Sequence, residues 1–150
     1  MAGTIDDRLP TAADSALRVA EAEAKKAEER MRAAAATEAE KKALIESFQK
    51  VPSLSLEEKI ERAAAIIQRA VNNGLTEVEV LRFPHELCTD SGRAINQGEP
   101  GWENTLTGIP KDMYQFWHDH LRPRGYKARV QMVEFPGGMP GDIGIFLKWI

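Results

Sequence analysis

The chain has 150 residues, 43% of them hydrophobic and 29% charged, with a formal net charge of −3. That length suits one ordinary domain, or one small domain with an extension, and the acidic balance argues against a general nucleic-acid binder, which would carry a basic surplus. A single cysteine, Cys88, excludes an intramolecular disulfide and suits a reducing compartment; with no apolar run near the ~20 residues that cross a bilayer and no basic-then-apolar leader in "MAGTIDDRLPTAADSA", a soluble cytoplasmic protein without a membrane partner is expected.

Residues 1–10 read as a flexible N-terminus. From there to residue 50 the chain contains no glycine or proline and is dominated by Ala, Glu, Lys and Arg, the strongest helix formers. Glu21–Lys25, Glu28–Arg32, Glu38–Lys42 and Glu46–Lys50 each set an acid four residues ahead of a base, the orientation that stabilises a helix. Thr11 with Asp14 resembles an acidic capping box. The prediction is one long helix over 11–50. Its apolar face is thin: Leu17, Ala20, Ala24, Ala27, Met31 and Ala34 follow a 3-4 spacing like a coiled-coil seam, which fails at Glu38 and Lys41 and resumes at Ile45 and Phe48. Two readings stand side by side. Such a segment serves as a solvated, semi-rigid spacer, or as a docking or self-association helix, with Leu17, Met31 and Phe48 as its partner-binding residues.

"VPSLS", residues 51–55, reads as a linker into a small α/β domain over 56–150. Ser55 with Glu58 forms a capping box, and Leu56, Ile60, Ala63, Ala64, Ile67 and Val71 make one apolar stripe that predicts a core-facing helix, stopped at Asn73-Gly74. "TEVEVLRF" has strand periodicity through Val78 and Val80. "HELCTDSGRAIN" carries a modest helical face, "QGEPGWENTLTGIP" is a loop, and "PKDMYQFWHDHL" is a helix with Met113, Phe116, Trp117 and Leu121 on one side. "YKARVQMVEF" and "DIGIFLKWI" alternate again and close the chain as a hairpin. The order α-β-α-α-β-β predicts an α+β (α/β-like) fold: a three-stranded mixed sheet, its first two strands paired in parallel through a right-handed crossover, with helices mainly on one face.

Chemistry is scarce. "PGGMPGDIG" has neither the Walker pattern nor a dinucleotide fingerprint, no helix follows it, and Pro136 and Pro140 remove two backbone donors; a hairpin connection is the better reading than a phosphate cradle. It leaves Met139 at an apolar tip that a partner would meet. His85 and Cys88 invite a zinc site and Cys88, His118 and Asp90 a nucleophilic triad, but neither has a recognised spacing or companion ligands. No catalytic residue, metal or cofactor is therefore assigned. The 90–104 loop gathers polar residues around Trp102, as a binding loop would, although a tryptophan plug into the core explains it as well. Arg122, Arg124, Lys127, Arg129 and Lys148 form the candidate anion-binding set, an RNA surface being the third choice because aromatic residues for stacking are few. The expected function is a non-catalytic interaction or assembly module whose partner is another protein or a second copy of the chain. A small enzyme or ligand-binding domain using the 90–104 loop is the alternative.

Overall fold

The computed structural model describes residues 9–150, so the flexible N-terminus expected over 1–10 lies almost wholly outside the described residues. The fold is α+β: a long N-terminal helix followed by a small domain on a three-stranded sheet. The chain divides after Ala43 into two compact units.

Helix α1 runs Ala12–Gln49, entered with the Asp14 N–H donating to Thr11 Oγ1 at 3.0 Å. None of its residues is fully buried, so over most of its length it is held by helix propensity rather than by packing. Only residues from Leu44 onward fall in the second unit, where Ile45 and Phe48 pack on the domain's core.

Helix α2, Leu56–Asn72, starts where the sequence places it: the Ser55 hydroxyl accepts from Glu58 N–H at 3.1 Å. It ends in a Schellman motif. Leu75 N–H donates to Ala70 O and Gly74 N–H to Val71 O, each at 2.9 Å, with Gly74 at φ +75°. The buried face is narrower than the stripe predicts. Ala63 and Ile67 are half-buried and Ala70 is buried, whereas Leu56, Ile60 and Val71 remain 48%, 47% and 50% exposed. Small side chains bring the helix close to the sheet; the large ones flank that contact.

Strand β1, Glu77–Pro84, holds a bulge between Glu79 and Leu81. "VEVLRF" sets two apolar residues in succession. The extra residue lets Val78 and Val80 before it and Leu81 and Phe83 after it all reach the core clusters. Strands β2, Lys127–Met132, and β3, Asp142–Lys148, form the closing hairpin.

The sheet order is β1-β3-β2, and both pairings are antiparallel. This corrects the mixed sheet expected from the sequence. β1 and β2 do run the same way, but β3 lies between them. β3 is the most apolar strand, with Ile143, Ile145 and Leu147 at most 1% exposed, and the central place gives it a neighbour on each edge.

Between β1 and β2 the chain makes a 3₁₀ turn at His85–Leu87, a short helix α3 at Arg93–Gln97, a second 3₁₀ turn at Trp102–Thr105, and helix α4 at Gly108–Phe116. α4 continues through a π-helical turn, Trp117–Leu121, and a 3₁₀ turn, Arg122–Arg124. The single helix suggested by "HELCTDSGRAIN" is split. The Asp90 carboxylate accepts from Gly92 N–H at 3.0 Å and Ala94 N–H at 2.9 Å, restarting the helix at α3. One core cluster centres on Phe83, Leu87, Met132, Ile143 and Ile145; a second joins Phe116, Leu121 and Leu147. No polar or charged residue is buried among the described residues.

Candidate interaction surfaces

In the first unit the seam of α1 lies open. Leu17 is 59% exposed and Met31 73%. The same seam, continued past Glu38 and Lys41, presents Ile45 and Phe48, and these pack against the core. That contact commits Phe48 to its own domain. Two further features seat the end of α1. Gln49 Nε2 donates to Thr107 Oγ1 at 3.2 Å. Gly108, at φ +57°, lies so near that a Cβ there would stand 2.9 Å from Gln49 Cα and closer still to the Phe48 carbonyl oxygen.

Several polar groups in and beside the 90–104 loop bond locally. Asp90 caps α3, Arg93 pairs with Glu99 at 2.8 Å, and Thr105 Oγ1 donates to Trp102 O at 2.7 Å. Thr89 N–H reaches Thr105 O at 2.8 Å, and the Thr107 hydroxyl donates to Leu87 O. Trp102 packs on the core and meets Tyr114 edge-on, centroids 5.5 Å apart; Tyr114 is also 5.5 Å from Trp117. Trp117 Nε1 donates to Tyr126 O at 3.0 Å. Burial raises the Tyr114 phenol, Glu103 adds to the rise and Arg122 opposes it.

Cys88 is buried, and that burial pushes its thiol up to about 11, so the thiolate a nucleophile or metal ligand needs is disfavoured. His85 donates from Nδ1 to Gly141 O at 3.0 Å while Nε2 lies 2.7 Å from Glu86 Oε1. His118 is exposed and 3.1 Å from its neighbour Asp119. The structure thus does not bring Cys88, His118 and Asp90 together as a relay. Among the described residues no three His, Cys, Asp or Glu side chains converge as a metal set.

The outer sheet face carries the basic residues in rows with acids. Glu77, Lys148 and Lys127 lie abreast, as do Glu79, Phe146 and Arg129. Arg129 donates to Glu77 Oε1 at 3.0 Å and Gln131 Oε1 at 2.5 Å, and its guanidinium carbon stands 4.3 Å from the Phe146 ring centroid. Arg82 pairs with Glu79 at 2.9 Å. Of the five expected cations, Arg129 is thus internally neutralised. Lys127 and Lys148 remain exposed, as do Arg122 and Arg124 in the turn before β2. Phe146, whose ring also covers Gly144, is the aromatic neighbour on this face; its pairing with Arg129 depends on strand register, which the sequence leaves open.

The glycine-rich stretch closes the hairpin. Val133 N–H donates to Asp142 O at 2.9 Å and Gly141 N–H to Glu134 O at 3.0 Å, with a 3₁₀ turn at Pro136–Gly138 between them. Met139 and Phe135 project at its tip, 66% and 52% exposed. Among the described residues no helix is long and apolar enough to cross a membrane. No family model matches the chain, and neither a curated protein nor a solved structure matches it significantly.

Proposed function

We propose that this protein is a non-catalytic assembly module: α1 docks on another protein or on a second copy of itself, and the α+β domain carries the specific surface. One observation carries the reading. The heptad spacing of the α1 seam continues to Ile45 and Phe48, which pack on the domain, yet Leu17 and Met31 in the same spacing are exposed. A seam whose end is used in packing is of the kind that packs, and its alanines permit close backbone approach. Supporting it, the residues that sequence reasoning would enlist for catalysis are engaged structurally: Cys88 is a buried thiol and Asp90 is a helix cap.

Light scattering of the full chain across a concentration series, beside capture of its complexes from the native cell, is the test. The expected result is a defined oligomer or a stoichiometric complex that Leu17→Glu with Met31→Glu abolishes, while the domain's melting transition stays put. A full chain that is monomeric at every concentration and is recovered alone overturns the proposal.

A further inference from the structure

Between α2 and α4 the domain leaves an apolar cleft of about 320 Å³. Val80, Phe116 and Leu147 are at its floor, and Ile66 and Ile109 stand in its walls. It exists because of how α2 packs. The helix approaches the sheet through Ala63 and Ala70, while Ile66 stays at the margin, 38% exposed. An ion pair, Lys59 Nζ to Asp112 Oδ1 at 3.1 Å, ties the two helices to each other at the cleft.

The charges at the cleft define its chemistry. Lys59 and Asp112 neutralise each other. Arg62, one turn along α2 from Lys59, also borders the cleft and has no hydrogen bond or ion pair among the described residues. An apolar interior with one uncommitted guanidinium suits a molecule with an aliphatic body and a single anionic head, because Arg matches a carboxylate in a planar, two-pronged geometry. The size lies at the lower end of small-molecule sites. A polyphosphate or a nucleotide would need more cations than this one.

We propose that the cleft binds a small aliphatic monocarboxylate, its tail over Leu147 and Phe116 and its carboxylate on Arg62. This goes beyond the assembly role and does not depend on it. The test is calorimetric titration of the full chain with decanoate, decanol and decylamine below their micellar concentrations, with methyl NMR to locate the bound probe. Decanoate should bind, perturb Met113 and Leu147, and exceed decanol by about tenfold, the contribution expected of one charge-assisted contact; decylamine should be weaker than both. Arg62→Gln should bring decanoate down to the level of decanol. Ile66→Trp, placed at the half-exposed margin, should obstruct both probes without touching the core, with melting curves confirming that each variant folds. Absence of decanoate binding, equal affinity for decanoate and decanol, indifference to Arg62→Gln, or shifts confined to residues away from this cleft would each overturn the assignment.

Discussion

Replacing Gly108 by Ala tests how the end of α1 is held. Two costs add at this position. The backbone sits at φ +57°, where an L-residue loses about 1–2 kcal/mol relative to glycine. The new methyl would also stand 2.9 Å from Gln49 Cα, nearer than real Cβ atoms approach other atoms, so the end of α1 must withdraw. Withdrawal gives up part of the Phe48 burial, whose full value is about 1.5–3 kcal/mol, and the Gln49–Thr107 hydrogen bond, worth about 1 kcal/mol or less at an exposed site. The sum is about 2–4 kcal/mol. Gly137→Ala is the matched control, since Gly137 has φ +59° and open space where a Cβ would lie; it should cost only the backbone part. Urea unfolding of both variants reads the difference, and thermal melts should separate them by roughly 4–8 °C per kcal/mol in a domain of this size. Equal losses for the two variants would refute the close seating of α1 on α4.

Other outcomes follow from the same packing. Phe48→Ala should destabilise the domain by about 2 kcal/mol in urea unfolding, whereas Leu17→Ala, on the same seam but exposed, should change monomer stability by less than about 0.5 kcal/mol. Stability should fall at alkaline pH through Cys88: its folded thiol is pushed up to about 11, above the unfolded value near 8.5, so the contribution is complete below pH ~8.5 and is lost as pH rises towards ~11, by on the order of 3 kcal/mol. Cys88→Ala should flatten that slope in pH-dependent melts. Gly144→Ala would set a methyl 2.9 Å from the Phe146 ring and 3.0 Å from Val133 Cγ1, displacing the ring from Arg129 at about 1 kcal/mol; in a Phe146→Ala background, where that contact is already gone, the same substitution should cost clearly less. The Asp119 carboxyl, bonded by His118 and then Gln115, is held below its ordinary value, so its contribution is present above the usual carboxylate range and disappears as pH falls through the lowered value, as carbon NMR of the side chain would show.

Local signals decided the elements. Ser55 with Glu58, and Asn73-Gly74, fix both ends of α2 because capping is settled within four residues. The hairpin around "PGGMPGD" was legible for the same reason. Strand neighbours were not, since the choice between pairing β1 with β2 and pairing it with β3 depends on which strand buries both edges. The bulge was visible in principle: Val80 and Leu81 in succession, then Arg82 and Phe83, mark a change of phase that strict alternation overlooks. The stripe on α2 misled because periodicity gives direction, not depth. Ile60 and Val71 point towards the domain side, yet three strands are too narrow to cover them.

The surfaces were harder to read than the fold, and Arg129 shows why. As a residue in "KARVQM" it is one of several cations on an alternating strand. Only the register, with Phe146 and Glu79 abreast of it and Glu77 one row away, turns it into a stacked, ion-paired side chain with little charge left to offer an anion. Arg62 is the converse. In "EEKIERAAAI" it looks like an ordinary solvated arginine beside three acids, but the ion pair of Lys59 with Asp112 and the gap left by Ala63 place it at the edge of an apolar cleft with its guanidinium uncommitted. Charge counted along the chain cannot separate these two arginines, because what distinguishes them is which oppositely charged side chain folding brings within about 4 Å. The seam of α1 poses the same problem in apolar form: Leu17, Met31 and Phe48 share one heptad spacing, and only the presence or absence of a covering surface makes Phe48 a core-packed residue and leaves the other two exposed.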